Sequence, residues 1–245
     1  MMCNADPSAF DVFEFANGIR LYRRDLLDLQ FARYEKQDHP LHEPVEEDWF
    51  ERILASVPRD DACFLDIGAA LGYYCVLARI RLPACRVIAV DPNQEFRDKF
   101  WKTLELNRIS SAGVEHIAAA VYPEETSVPF ASKSFSSHVV PSARRNAMHD
   151  YESRMVPALS LEKLISGIAQ PISIAKLDIQ GAELEVLQSS RSLLADGCVR
   201  NWIVGTHSAA IHAALVDLLS KDHEILFEEQ APEDQPDGVI IAKRR

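Results

Sequence analysis

The chain has 245 residues, of which 47% are hydrophobic and 26% charged, enough to bury one substantial core. Its 37 acidic residues outnumber 26 Lys and Arg, and the net charge of -11 argues against nucleic acid or an anionic membrane surface as the main partner. No run approaches the ~18 apolar residues of a membrane span, and five cysteines without CxxC or zinc-like spacing fit reduced thiols in a soluble, cytoplasmic protein.

The N-terminus, MMCNADPSAFDVFEFANG, carries acids where a signal peptide has basic residues. FDVFEFANGIRLYRR predicts a hairpin turning at Asn17-Gly18, and EEDWFERILASV predicts an amphipathic helix. Residues 1–60 read as an N-terminal cap on a domain spanning 61–245. Within the cap, His39, His42, Glu43 and Trp49 read as an ordinary solvated surface, with closure over a ligand as the alternative.

At CFLDIGAALGYYCVL a strand ends in Asp66, turns through Gly68, Ala70 and Gly72, and passes into a helix near 71–81 that begins with Tyr73 and Tyr74. Such a strand, turn and helix start gathers positive partial charge, and its usual ligand is a phosphate. Neither phosphate signature is complete: Ala70 holds the middle position of G-x-G-x-x-G, and no Lys-Ser/Thr follows Gly72. Asp66 would repel a phosphate and attract a cation. A ligand with a sulfonium, an ammonium, an adenosine and no phosphate meets these conditions, which points to S-adenosylmethionine, with S-adenosylhomocysteine as its product.

RVIAVD follows, and Asp91 stands roughly twenty residues beyond the glycine turn, where an acid accepts hydrogen bonds from ribose hydroxyls. Pro92 and Asn93 open the next helix, near 94–107, as cap or adenine neighbours, and Ala119 and Ala120 after VEHI leave room for adenine. VEHIAAAV reads as one strand. Residues 122–157 are Ser- and Pro-rich and too long for an ordinary connection, so they read as a substrate lid with some strand of its own; His138, Arg144, Arg145 and His149 there are candidates to meet a polar acceptor. ISIAKLDI, a helix over about 181–194, NWIVGTH, a helix near 208–220, HEILFEE and GVIIAK complete an alternating βα rhythm that closes with an antiparallel pair.

FLDIGAALGYY, VIAVDPNQE, the TLELN helix end, IAKLDIQGAELEVLQ and the GTHS segment, from Phe64 to Glu228, resemble the FkbM-type methyltransferases. The resemblance implies a class I, Rossmann-like methyltransferase fold: α/β, seven strands, mostly parallel, the last antiparallel, with helices on both faces. It also implies S-adenosylmethionine-dependent transfer, mostly to hydroxyl groups. This chain departs from the family pattern at Ala70, where Asn is common, and at Asp91 and Gln180, where Glu is common.

Methyl transfer to an alcohol is chiefly a matter of positioning, with help from a base. Asp178, at the end of ISIAKLD, is the leading candidate, with Lys176 two residues earlier on the same strand face and Glu183 in the first turn of the next helix. His207, ending IVGTH, reaches the same edge as a second candidate base. No metal is assigned, since the Asp-Asn pair of metal-dependent relatives is missing, although Asp178, Glu183 and His207 offer ligand atoms. The expected acceptor is a small molecule or glycan bearing a hydroxyl, such as a sugar or polyketide. A non-catalytic S-adenosylmethionine-binding module, a metal-dependent O-methyltransferase and a nicotinamide oxidoreductase are the alternatives.

Overall fold

Runs of aliphatic residues that are buried on both faces can exist only as strands covered by helices on two sides, and CFLDI and NWIVGT are buried throughout. The computed structural model describes residues 11–123, 126–131, 137–140, 153–233 and 235–245. In chain order the hairpin β1 (Val12–Glu14) and β2 (Arg20–Tyr22) precedes helices α1 (Asp28–Tyr34) and α2 (Pro44–Ser56). Then come β3 (Cys63–Ile67), α3 (Tyr73–Arg81), β4 (Arg86–Val90), α4 (Gln94–Leu106) and β5 (Val114–Ile117). Short strands β6 (Ala120–Val121), β7 (Ser127–Ala131), β8 (His138–Val139) and β9 (Ser153–Leu159) follow, then α5 (Leu161–Ser166), β10 (Ile174–Leu177), α6 (Glu183–Ser189) and α7 (Arg191–Asp196). The chain finishes with β11 (Asn201–Thr206), α8 (Ala209–Leu219), β12 (His223–Glu229) and β13 (Gly238–Arg244).

The main sheet has seven strands in the order β12-β13-β11-β10-β3-β4-β5. β13 runs antiparallel to both its neighbours, so it lies between two strands that share the direction of the rest. Strand period two divides the core. Phe64 of β3 and Ile174 of β10 face the cap, α2, α3 and α4, whereas Cys63, Leu65, Ile67, Ala175 and Leu177 face α5, α6, α7 and α8. On the cap face Phe50 of α2 meets Phe64 edge to face at 4.9 Å, a contact worth about 1 kcal/mol beyond its burial. Lys176 shares the parity of Ile174 and therefore points toward the cap.

The hairpin turns at Asn17-Gly18 as the sequence predicts, with Gly18 at φ +85°. Asn93, Ser160 and Ser208 cap α4, α5 and α8 through side-chain oxygens. Two expectations need correction. VEHIAAAV is not one strand: the chain leaves the main sheet after Ile117, and Ala120–Val121 pairs instead with β9. The helix expected over 181–194 breaks at Ser190, whose φ and ψ of -106° and 34° are non-helical, into α6 and α7. Helices α1 and α5 are short and carry too little periodicity to be read in advance. Within the segment expected as a lid, β7, β8 and most of β9 join β6 in a four-stranded sheet, order β6-β9-β7-β8; Arg144, Arg145 and His149 fall outside the described residues. Among the described residues no helix is long and apolar enough to cross a membrane.

Candidate active site

A cavity of about 390 Å³ opens at the C-terminal edge of β3, β4 and β10, where parallel sheets hold ligands. The turn after β3 makes its floor. Gly68, at φ +93°, lies so close to the end of β10 that an added Cβ would stand 1.8 Å from the Asp178 carbonyl oxygen. The N–H groups of Gly68 and Ala69 donate to the Val90 carbonyl (2.8 and 3.3 Å), and that of Ala70 donates to Asp91 Oδ2 (3.0 Å). Donors that would cradle a phosphate are thus engaged within the protein, in keeping with the missing phosphate signatures. Gly72, N-terminal to α3, is a packing glycine, since a Cβ there would meet the Phe100 ring at 2.6 Å.

Asp91 also accepts from the Asn93 N–H (2.7 Å), and burial pushes its pKa up to about 6 in spite of both backbone bonds. Pro92, Phe96, Ala120 and Val121 form an apolar wall beside it. Asn93 and Ala119 are off the wall: Asn93 caps α4 and accepts from Arg154 Nη2 at 3.3 Å. Asp66 accepts from Cys75 Sγ (3.2 Å), and burial raises it to about 6 against the attraction of Lys176.

Lys176 is the charge around which the far end is built. Lying 3% exposed, its ammonium meets Asp178 Oδ2 at 3.0 Å and Glu46 Oε1 at 3.2 Å, over the Tyr74 ring at 4.9 Å. Burial alone would depress the lysine, but Asp178, Glu46, Glu43 and Asp66 outweigh it and hold it charged. Burial would likewise raise Asp178, and Lys176 followed by His207 overcomes it, so the carboxyl stays below its ordinary range.

His207 lies with Nε2 3.4 Å from Asp178 Oδ1 and 3.6 Å from Asp237 Oδ1, and with Nδ1 3.0 Å from Glu183 Oε1. Burial disfavours its charge, yet Glu183, Asp178 and Asp237 together raise it to about 9. That shift favours the imidazolium near neutral pH, in which His207 pairs with the carboxylates around it. Glu183, fully buried, accepts from the N–H groups of Ile179 (2.9 Å) and Gly181 (3.0 Å) and so fixes the turn that carries Gln180 at φ +58°. Neither His207 nor Glu183 is on the cavity wall, whereas Asp178, Lys176 and Gln180 are. Ligand atoms of Asp178, Glu183 and His207 lie within 4.8 Å of one another. Magnesium wants oxygen donors and keeps several waters; of the three residues only Asp178 is on the cavity wall, and Glu183 Oε1 is already engaged by the Ile179 and Gly181 N–H groups.

The cap contributes more than solvated surface. His42 and Glu43 line the cavity, Tyr74 donates to Glu43 Oε2 at 2.9 Å, and burial keeps His42 below its ordinary pKa. Tyr73, also on the wall, accepts from Asn17 Nδ2 at 2.7 Å, and Asn17 donates at the same distance to Glu47. His39 is exposed, and Trp49 packs on Phe227 instead. Glu46 was not singled out as a site residue in the sequence. Its signal was indirect: a lysine in a central strand demands carboxylates, and α2 opens with two glutamates. From the small sheet, Phe130, Ser137, His138 and Val139 reach the wall. Five carboxylates (Glu43, Asp66, Asp91, Asp178, Asp237) against Arg33 and Lys176 leave the lining suited to a cation.

Among family profiles, that of the methyltransferase FkbM domain matches residues 66–226. A fibrillarin/Nop5p complex structure is 12% identical with a TM-score of 0.50, covering 96% of this chain and 98% of that one. An rRNA methylase from Streptococcus thermophilus is 12% identical, TM-score 0.48, with coverage of 79% and 92%. TrmK from M. capricolum, in complex with S-adenosylhomocysteine, is 12% identical, TM-score 0.45, with coverage of 80% and 68%. No curated protein matches the sequence. At 12% identity the likeness to the fibrillarin/Nop5p structure speaks for the fold alone, in keeping with the class I methyltransferase arrangement of the seven-stranded sheet.

Proposed function

This chain belongs to the FkbM methyltransferase domain family, a group of S-adenosylmethionine-dependent methyltransferases, and we propose that it methylates a hydroxyl of a small molecule, a sugar, glycan or polyketide-type metabolite. The observation that carries this reading is the position of Asp178 on the cavity wall, with the Lys176 ammonium at 3.0 Å and His207 at 3.4 Å. Bound in the cavity, S-adenosylmethionine supplies an electrophilic methyl group on a sulfonium. Asp91 would receive the ribose hydroxyls, Pro92, Phe96, Ala120 and Val121 the adenine, and Asp66 with Tyr73 and Tyr74 the methionine end.

Asp178 accepts a hydrogen bond from the acceptor hydroxyl and aims an oxygen lone pair. As that oxygen gains a methyl group it becomes an oxonium, far more acidic than any carboxylic acid. Asp178 therefore takes the proton even with its pKa held low. Lys176 and His207 stay charged and hold Asp178 in one orientation, and His42, Glu43 and the cap exclude water from the reacting atoms.

Asp178→Asn tests the reading in an assay of labelled methyl transfer to a panel of hydroxylated acceptors. The expected result is a loss of roughly 10² to 10⁴ in turnover with S-adenosylhomocysteine affinity kept within about threefold. Wild-type turnover in this variant would remove Asp178 from its role. Transfer to amines or carboxylates with none to hydroxyls would overturn the acceptor class.

A further inference from the structure

Lys176 has one carboxylate more than its own strand provides. Asp178 is its neighbour along β10, but Glu46 comes from α2, more than a hundred residues away in the chain, and is 2% exposed. Burying a carboxylate costs several kcal/mol unless it is compensated, so the pair is more than the accidental meeting of two side chains at a surface. Glu46 Oε1 faces the ammonium as an ion pair without an aligned hydrogen bond, and the Glu46 N–H faces Gln235 Oε1 at 3.4 Å in the loop before β13. Around the pair stand Glu43 at the N-cap of α2, Tyr74 of α3, Asp66 of β3 and Asp178. All four of those side chains line the cavity, and so does Lys176.

We propose that Glu46 is a positioning residue of the methyl-transfer site: acting through Lys176, it makes the cap helix complete the site and sets how much negative charge the cavity presents to the reacting sulfur. This rests on the reading of the cavity as the S-adenosylmethionine site. The geometry has a functional corollary. With Glu46 ionised, the lysine is shared between two carboxylates and the cavity is more negative by one unit; with Glu46 protonated, Lys176 is committed to Asp178. Burial raises Glu46, opposed by Lys176, to about 8, which puts the exchange between these two arrangements in a measurable range.

The two forms of the cofactor make a charge probe, because they share adenosine, amino and carboxylate groups and differ at the sulfur: a sulfonium in S-adenosylmethionine, a neutral thioether in S-adenosylhomocysteine. Calorimetric titration of the wild type and of Glu46→Gln with each, from pH 6.5 to 8.5, gives the ratio of their dissociation constants, and dividing the wild-type ratio by that of the variant at each pH cancels the ionisations of the ligands and of the other protein groups. The ratio should move toward S-adenosylmethionine as pH rises through about 8, by on the order of tenfold for one unit charge within about 10 Å at an effective dielectric near 20. Glu46→Gln should lose this part of the rise, keeping only the share of the ligand amino group and of His207, and Glu46→Asp should restore part of what is lost. A ratio independent of pH in the wild type, or a rise kept intact in Glu46→Gln, would overturn the proposal. If Glu46→Gln fails to fold, the wild-type pH course and Glu46→Asp decide the matter. Absence of binding by both forms would instead sink the assignment of the cavity.

Discussion

Gly68→Ala is the most direct probe of how the fold makes the site. The added Cβ would lie 1.8 Å from the Asp178 oxygen and 2.9 Å from its carbonyl carbon, both main-chain atoms that cannot swing aside. Ordinary contact requires the turn and the end of β10 to part by roughly 1.5 Å, enough to break the Asp178 N–H to Ile67 carbonyl bond of 2.9 Å. That bond is worth about 1 kcal/mol and the left-handed φ of +93° costs about 1–3 kcal/mol for alanine. A destabilisation of about 2–4 kcal/mol follows, or a fall in Tm of roughly 5–15 °C for a chain of this size. Gly18→Ala is the matched control, since it has a φ of +85° with nothing within 4 Å of the added atom. Thermal unfolding and calorimetry with S-adenosylhomocysteine would be run on both. Gly68→Ala should lose at least tenfold in affinity, whereas Gly18→Ala should lose some stability and keep its affinity. Equal losses of Tm, or unchanged binding in Gly68→Ala, would refute the close-approach argument.

Lys176→Met strips the cation from Glu46 and Asp178 and should cost about 3–5 kcal/mol, less at pH 6 than at pH 8 because the stranded carboxylates can take protons; urea denaturation at the two pH values checks it. His207 is raised from 6.5 to about 9, so its contribution is fully present below about 6.5 and is lost as pH rises through about 9. It amounts to about 3 kcal/mol at most, and His207→Gln should be less stable at pH 6 and show a flatter decline of stability between pH 7 and 9.5. Asp66 and Asp91, raised by burial from 3.8 to about 6, contribute in the opposite pH sense to ordinary acids: their share of stability grows as pH falls through about 6 and is lost above it. Binding runs the other way, since a protonated carboxyl no longer attracts a sulfonium, and S-adenosylmethionine affinity measured at pH 5 should fall well below that at pH 7.5.

Apart from α5, the break between α6 and α7 and the small sheet, the order of strands and helices from Cys63 onward was legible in the sequence because parallel strands buried on both faces are continuous apolar runs, and helices keep their own period. Asp66 and Asp91 were legible for a related reason: each lies within one residue of the end of such a run, and a strand's end is a position in the sequence as well as in space. Asp178 and Lys176 shared a strand face by period two alone. The sequence also excluded a phosphate cradle, from Ala70 and the absent Lys-Ser/Thr. What only the tertiary structure decided is which charges meet. Glu46 reaches Lys176 across α2 and β10, and His207 takes a proton because Asp178, Glu183 and Asp237 converge on it from three segments. Strand and helix periods are local and survive in a linear string. Burial and Coulomb energies depend on separations through space, so the protonation states that govern the chemistry exist only once the cap has packed onto the sheet.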